Sequence, residues 1–451
     1  MIRRILSQIS FQTVSMNLPL IIYVFTGALV FLLGLPFLLI YVLATGKHLE
    51  SLPNRLGYYR RRLGKKDADR LRIWVHAASV GEVAAAAPIV TELSGDLPTA
   101  EFVLSTTTSA GQAAAHKNLG ALATCVYAPV DFLAAVALAL QTGQPDCLVF
   151  VETEIWPNWL SLARRAGIPT VLVNGRISGR SIKGYRRIRS LVGPALKSVA
   201  AFSMIGTSDA ERIKYLGVPE NKITVNGNAK YDRLAGAATP AAAEAMATLF
   251  NLNAEIPVMV AGSLRRGEEA PLLDVFMQIR PAVPDLVCIM APRHLHRVAK
   301  MADRATALGI DFQLRSGLQP PVRQRRSALV ILDTLGELHA TYSLATVVFC
   351  GGSLVPLGGQ NVLEAAAWGK PVLFGPSMED FQREKELLMA SGGGWEVRDQ
   401  QALANKTRYY LKHPEEAARA GKAGRAMVRA NTGAARKHAD VILSLIGESR
   451  K

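Results

Sequence analysis

At 451 residues the chain exceeds what one ordinary hydrophobic core accommodates, so two domains and an appendage are expected. Its formal charge of +16 is spread over many segments with no nucleic-acid motif, which argues against nucleic acid and for acidic membranes or anionic substrates. The four cysteines, Cys125, Cys147, Cys288 and Cys350, lie in or beside apolar runs and form no metal-ligand pair, so they read as reduced core residues of a cytosolic domain.

From Leu18 to Ala44 there is no charged residue, and the run exceeds the roughly 20 residues that a spanning helix needs. A retained anchor fits better than a cleaved signal peptide, whose apolar core is shorter, and Pro36 is a candidate kink. Arg3 and Arg4 precede the run, while Lys47, Arg55, Arg60, Arg61, Arg62, Lys65 and Lys66 follow it closely. This asymmetry predicts that the following domains stay in the cytoplasm, and the same cations suit anionic headgroups. Asp67 and Asp69 form a D-x-D, but in so charged a stretch they read as surface.

Strands are predicted at Arg72–Ala77, Phe102–Ser105, Cys147–Val151, Thr170–Asn174, Ala201–Gly206 and Ile223–Asn226, with helical segments between them. Such alternation implies a doubly wound parallel sheet. The Ala-rich stretch from Arg233 to Ile256 reads as a linker. A second series follows at Val258–Ala261, Leu286–Ala291, Leu329–Leu332, Val347–Cys350 and Val372–Phe374. The expected division is therefore 1–50 anchor, 51–235 first domain and 236–451 second domain with the C-terminal helices, the two sheets facing a cleft. Ligands of such sheets sit at the carboxyl ends of the strands.

Candidate chemistry falls at those ends. Glu82 opens a helix directly after a strand, where the helix dipole favours an ionised carboxylate able to accept a proton. On position alone an ordinary first-turn acid is the commoner case. In VETEIWPNW, Glu152 and Glu154 follow a strand and at least one should face the cleft. Arg176, Arg180 and Lys230 come from NGRISGRS and NGNAKYD, and cations there suit an anionic ligand. In the second half, Ser263 and Arg293 follow strands, Arg293 with a fork that fits phosphate or carboxylate. His294 and His296 are read as lying on opposite sides of an extended segment, without carboxylates to make a metal site. TLGEL (Thr334–Leu338) also follows a strand. In VVFCGGSLVPLGGQNVLEAAAWGKPVLFGP, Gly358 and Gly359 are expected to let backbone approach a ligand. A helix from Asn361 to Trp368 offers its N–H groups to a phosphate, and Glu364 can accept from ribose hydroxyls.

Assembled in order, the segments NRLGYY, HAASVGE, STTTSAG, ETEIWPN, NGRIS, GNAKYD, GSLRRGEE, PRHLHR, TLGEL and GGQNVLEAAAWGKP give the chain a close resemblance to the Kdo transferases of Gram-negative bacteria, over nearly its whole length. The resemblance implies an α/β fold of GT-B type, two Rossmann-like domains behind one N-terminal transmembrane helix at the inner membrane. It implies inverting transfer of 3-deoxy-D-manno-octulosonic acid (Kdo) from CMP-Kdo to the lipid A precursor, with no metal and no cofactor. Glu82 is then the proton acceptor, and Glu152 and Lys230 support the transition state. CMP is held by Pro292 and Arg293, by Leu335, Gly336 and Glu337, and by Asn361, Val362, Leu363 and Glu364. Family members often carry Pro where Val362 stands. A UDP-sugar transferase and a non-catalytic, membrane-tethered nucleotide-binding scaffold are the alternatives.

Overall fold

The structure is a computed structural model that describes residues 18–46 and 49–449. Arg3, Arg4 and Lys47 lie outside the described residues, as does the side chain of Arg180. The chain divides into two compact units, residues 1–233 with 433–451, and residues 234–432.

The first unit holds β1 (Arg72–His76), β2 (Glu101–Thr106), β3 (Ala123–Tyr127), β4 (Cys147–Val151), β5 (Thr170–Gly175), β6 (Ala201–Met204) and β7 (Ile223–Val225). They form one sheet in the order β3-β2-β1-β4-β5-β6-β7, with parallel pairing throughout. β1 and β4 are buried at every position, because helices cover both faces of a parallel sheet and every side chain meets a core. Their sequences RIWVH and CLVFV are accordingly apolar in runs and not alternating. The order reverses between β1 and β4, so a crevice opens where their carboxyl ends part.

The second unit repeats this plan with β8 (Val258–Leu264), β9 (Val287–Pro292), β10 (Phe312–Leu314), β11 (Leu329–Ile331), β12 (Val347–Cys350), β13 (Val372–Phe374) and β14 (Gly394–Glu396). Its order is β10-β11-β9-β8-β12-β13-β14, again parallel, with the switch point between β8 and β12. The linker stretch is two helices, Lys230–Ala237 and Pro240–Phe250. All four cysteines are buried and unpaired.

The last helix, Ala434–Ser449, was expected in the second domain and belongs to the first unit instead. Ala435, Ala439, Ile442 and Ile446 recur on one face and join the core formed by Val83, Ala86 and Val90 of the helix Val80–Asp96. Burying the two isoleucines alone contributes about 3–6 kcal/mol. Asp232 caps the helix by accepting from Gly433 N (2.5 Å) and Ala435 N (3.0 Å). His438, fully buried, sits between Ser203 Oγ (2.6 Å) and Gly227 O (3.1 Å).

Burial pushes the His438 imidazolium down to about 4. The unfolded chain protonates near 6.5, so this contribution to stability is complete above that pH and is lost as pH falls toward 4, by about 3 kcal/mol in all. The expected result is that the stability of the full chain relative to His438→Gln falls as pH drops from about 7.5 to 5, a comparison in which titrations common to both proteins cancel.

The helix Leu18–Thr45 is 28 residues long and, at 1.5 Å per residue, spans about 42 Å. It is the one helix among the described residues long and apolar enough to cross a membrane. Most of its large side chains are exposed, while Tyr23 donates to Asp131 (2.8 Å) and Phe31 stacks on Phe132.

Candidate active site

At the first switch point the loop after β1 and the loop after β4 bring three carboxylates together. Glu82 lies in the first turn of the helix Val80–Asp96, and its carboxylate turns back to accept from Ala78 N (2.6 Å) and Ser79 Oγ (2.9 Å). Glu152 ends β4 with a left-handed φ of 63°, a strained conformation for a residue with a Cβ. Its Oε1 receives Lys230 Nζ at 2.5 Å. Glu154 accepts from Trp156 Nε1 (2.5 Å) and lies 3.4 Å from His76 Nε2.

Lys230 is brought in by a second strained residue. Asn174, at φ 52° in β5, accepts from Ala229 N at 2.9 Å, which docks the NGNAKYD loop against the carboxyl end of the strand. A Cβ placed on Gly81 would stand 3.8 Å from Lys230 Nζ, so the ammonium lies beside the first turn that carries Glu82. Beneath the carboxylates, His76, Phe150, Trp156 and Trp159 pack edge to face, with Trp74 behind them. His76 Nδ1 is held by Ser105 Oγ at 3.0 Å.

Glu82 departs from the sequence expectation of a plain ionised acid. Burial first, and then the nearby charges of Glu154 and Glu152, push its carboxyl up to about 7, against the lowering effect of Ala78 N–H and Ser79 Oγ–H. The helix dipole is outweighed. The result is a carboxylate poised to take and release a proton near neutrality, which suits a general base better than a fully ionised acid would.

The second switch point is built around a carboxylate that the sequence reading did not single out. Glu268 is completely buried and accepts from four backbone amides, Arg265 N (2.9 Å), Gly352 N (2.6 Å), Ser353 N (3.0 Å) and Leu354 N (3.0 Å). It ties the loop after β8 to the loop after β12. Ser263 does not follow the strand as expected: it lies within β8 at φ 56°, and the next helix begins at Glu269.

Arg293 follows Pro292 at the end of β9, and its backbone N donates to Leu264 O. Its side chain is exposed and makes no ion pair among the described residues, so the guanidinium is available to an anion. Leu335 is exposed and Gly336 has φ 83°. Glu337 pairs with Arg315 (2.7 Å) and accepts from Thr334 Oγ1.

The glycine-rich segment differs from expectation in three ways. Its helix covers only Leu363–Ala367, five residues, and Asn361 Oδ1 takes the Leu363 N–H (3.1 Å), so the helix start is not the strong anion site anticipated. Val362 and Leu363 are buried, which leaves only their backbone to meet a ligand. Gly358 and Gly359 are required first by their backbone, at φ 81° and 78°, and a Cβ there would also press on the Asp380 and Met378 side chains.

Elsewhere, His294 and His296 stack 5.5 Å apart on a 3₁₀ turn, not on opposite sides of an extended segment. Asp67 is exposed and pairs with Arg70. Of the basic flank, Arg55 is engaged with Thr107 O and the Tyr127 ring and Lys66 with Asp146, whereas Arg60, Arg61, Arg62 and Lys65 are exposed. Arg176 is exposed. His76 and Asn174 were present in the motifs HAASVGE and NGRIS, but nothing in their local sequence distinguishes a residue that positions others from one that merely packs.

Two doubly wound parallel sheets, each carrying polar groups at its switch point, define the class of fold: GT-B. A UDP-GlcNAc 2-epimerase from Neisseria meningitidis shares the fold, with a TM-score of 0.58 at 13% identity, covering 84% of this chain and all of that one. The family described as 3-deoxy-D-manno-octulosonic-acid transferase matches residues 50–233, and one described as glycosyl transferase-like matches residues 359–442. The 3-deoxy-D-manno-octulosonic acid transferase of Bordetella pertussis is 30% identical over 83% of this chain and 87% of its own length. That of Haemophilus influenzae is 29% identical over 82% and 86%. The chain belongs to the Kdo transferase family.

Proposed function

We propose that the chain transfers Kdo from CMP-Kdo to a lipid A precursor in lipopolysaccharide synthesis, with inversion at the anomeric carbon and without a metal ion. The observation that carries this reading is Glu82, a carboxylate balanced near neutrality beside the Lys230–Glu152 pair. An acceptor hydroxyl is a weak nucleophile until its proton has somewhere to go. As its oxygen bonds to the anomeric carbon, the proton passes to Glu82, and the bond from that carbon to the CMP phosphate breaks with its electron pair leaving on the phosphate. One displacement of this kind inverts configuration. Lys230, oriented by Glu152, supplies positive charge where negative charge develops, the role a metal would otherwise fill. Family membership supports the donor and the lipid acceptor.

In the second domain Arg293 holds the CMP phosphate, aided by backbone at Pro292, at Leu335, Gly336 and Glu337, and at Asn361, Val362 and Leu363, while Glu364 accepts from the ribose. For Glu337 to join them, the ligand must share it with Arg315. The helix Leu18–Thr45 anchors the enzyme in the inner membrane with its domains on the cytoplasmic side, and insertion exchanges its contacts with Asp131 and Phe132 for lipid. The exposed cations Arg60, Arg61, Arg62 and Lys65 draw the first domain to anionic headgroups, at about 1 kcal/mol per charge.

The test is nucleotide protection. CMP is expected to raise the thermal midpoint of the full chain and UDP to do so far less. Arg293→Ala should weaken CMP binding by roughly 1.5–3 kcal/mol, the loss of a charged hydrogen bond. Equal protection by UDP would favour a UDP-sugar donor.

A further inference from the structure

The second domain contains a pocket of about 530 Å³ at the amino ends of β8, β12 and β13, the opposite end of the sheet from the candidate chemistry. Its walls are mainly aliphatic: Ala247 from the helix Pro240–Phe250, Leu252 after it, Leu344, and Ala417 from the helix Pro414–Ala430. Lys370 and Ser343 are set among them, with Glu244, Asn253 and Thr346 as the other polar residues of the lining. Lys370 lines the pocket and has no ion pair or side-chain hydrogen bond among the described residues. Ser343 also lines it, and its hydroxyl is buried without a partner.

An unpaired ammonium and an unpaired hydroxyl in largely apolar surroundings are costly, and native interiors seldom retain both at one place. Burial pushes the Lys370 ammonium down to about 8. Glu244, the one acidic residue lining the pocket, is exposed at its rim and does not pair with Lys370. Both free groups can donate a hydrogen bond, and the walls are otherwise mainly aliphatic. A small anion with an aliphatic body meets every one of these demands.

We infer that this pocket is a binding site for a small aliphatic carboxylate, its oxygens held by Lys370 Nζ and Ser343 Oγ and its chain against Ala247, Leu252 and Ala417. The site lies away from the transfer chemistry, so it stands or falls independently of the proposed reaction.

The probes are butanoate, n-butanol, acetate and inorganic phosphate, titrated against the full chain in nanodiscs by ligand-observed NMR. Butanoate should bind saturably and at least about tenfold tighter than butanol, which lacks the charge, and tighter than acetate or phosphate, which lack the chain. Lys370→Met keeps the length of the side chain and breaks no ion pair, so it should fold with an unchanged or higher thermal midpoint and lose butanoate binding by about tenfold or more. Ser343→Ala should weaken it by a few-fold, and Ala247→Phe, which fills the space, should abolish it. Butanol or phosphate binding as tightly as butanoate, undiminished butanoate binding in Lys370→Met or in Ser343→Ala, or no saturable butanoate binding by the unaltered chain would each overturn the assignment.

Discussion

Glu82→Gln is expected to lower the single-turnover rate of sugar transfer by at least about 10²-fold while CMP affinity stays the same. Glutamine keeps the size of the side chain: its one carbonyl oxygen can still accept from Ala78 N, and its NH2, in place of the second oxygen, can donate to Ser79 Oγ, so the helix start should persist. What disappears is a group able to take the acceptor proton. The nucleotide contacts are assigned to the second domain and should not register the change. Because the Glu82 carboxyl is pushed up to about 7, the reactive, deprotonated form increases as pH rises through that value. The rate of the unaltered enzyme should therefore climb across neutrality. Removing the neighbouring charge with Glu154→Gln should move that rise to lower pH, since Glu154 is the largest charge holding the Glu82 carboxyl up. A Glu82→Gln enzyme with a normal rate would place the base elsewhere, with Glu154 and Glu152 next in line.

Lys230→Met carries the second largest effect, a fall of about 10²–10³-fold in the rate of transfer, the range for removing one preorganised donor to developing charge. Two losses combine. The positive charge beside the reacting centre is gone, and Glu152, until then held at 2.5 Å by Lys230 Nζ, becomes an uncompensated anion close to Glu82. The added repulsion should also shift the pH rise of whatever activity remains upward, a change that simple loss of packing would not produce. Lys230→Arg should recover only part of the rate, because a planar fork does not occupy the place of a compact ammonium. Single-turnover rates over a pH series, with CMP affinity as a control, separate these contributions.

Much of this arrangement was legible in the sequence, because parallel strands covered on both faces must be apolar in runs. RIWVH, CLVFV and VVFC announce themselves in this way, and they are three of the four strands whose carboxyl ends form the two switch points. The strands not foreseen, ATCVY, FQL and GWE, are all edge strands, where one flank needs no apolar neighbour and the run is short or broken by polar residues. The return of the helix Ala434–Ser449 to the first unit was equally hidden. Its apolar stripe of Ala435, Ala439, Ile442 and Ile446 shows that one face is buried, but not against which partner.

The candidate site was legible where a residue's chemistry is visible one at a time, as with Glu82, Glu152, Lys230 and Arg293. It was not legible where the effect depends on what surrounds the residue. The upward push on Glu82 comes from burial and from Glu154, a residue far along the chain, while its own helix start argues the other way. Glu268 looks like one more acid in GSLRRGEE until its four amide partners, three of them beyond residue 350, are in view. Gly358 and Gly359 show the converse, a pattern with a functional look whose glycines are demanded by the left-handed backbone of the turn itself.

The most direct test supplies purified full-length protein with CMP-Kdo and a lipid A precursor in the presence of a metal chelator, and reads the lipid product by mass and by the configuration of the new linkage. The expected product is the precursor carrying added Kdo, joined with the configuration opposite to that in the donor, with CMP released in equal amount. Retained configuration, a strict requirement for a divalent ion, or transfer from a UDP-sugar in place of CMP-Kdo would contradict the mechanism built on Glu82 and Lys230.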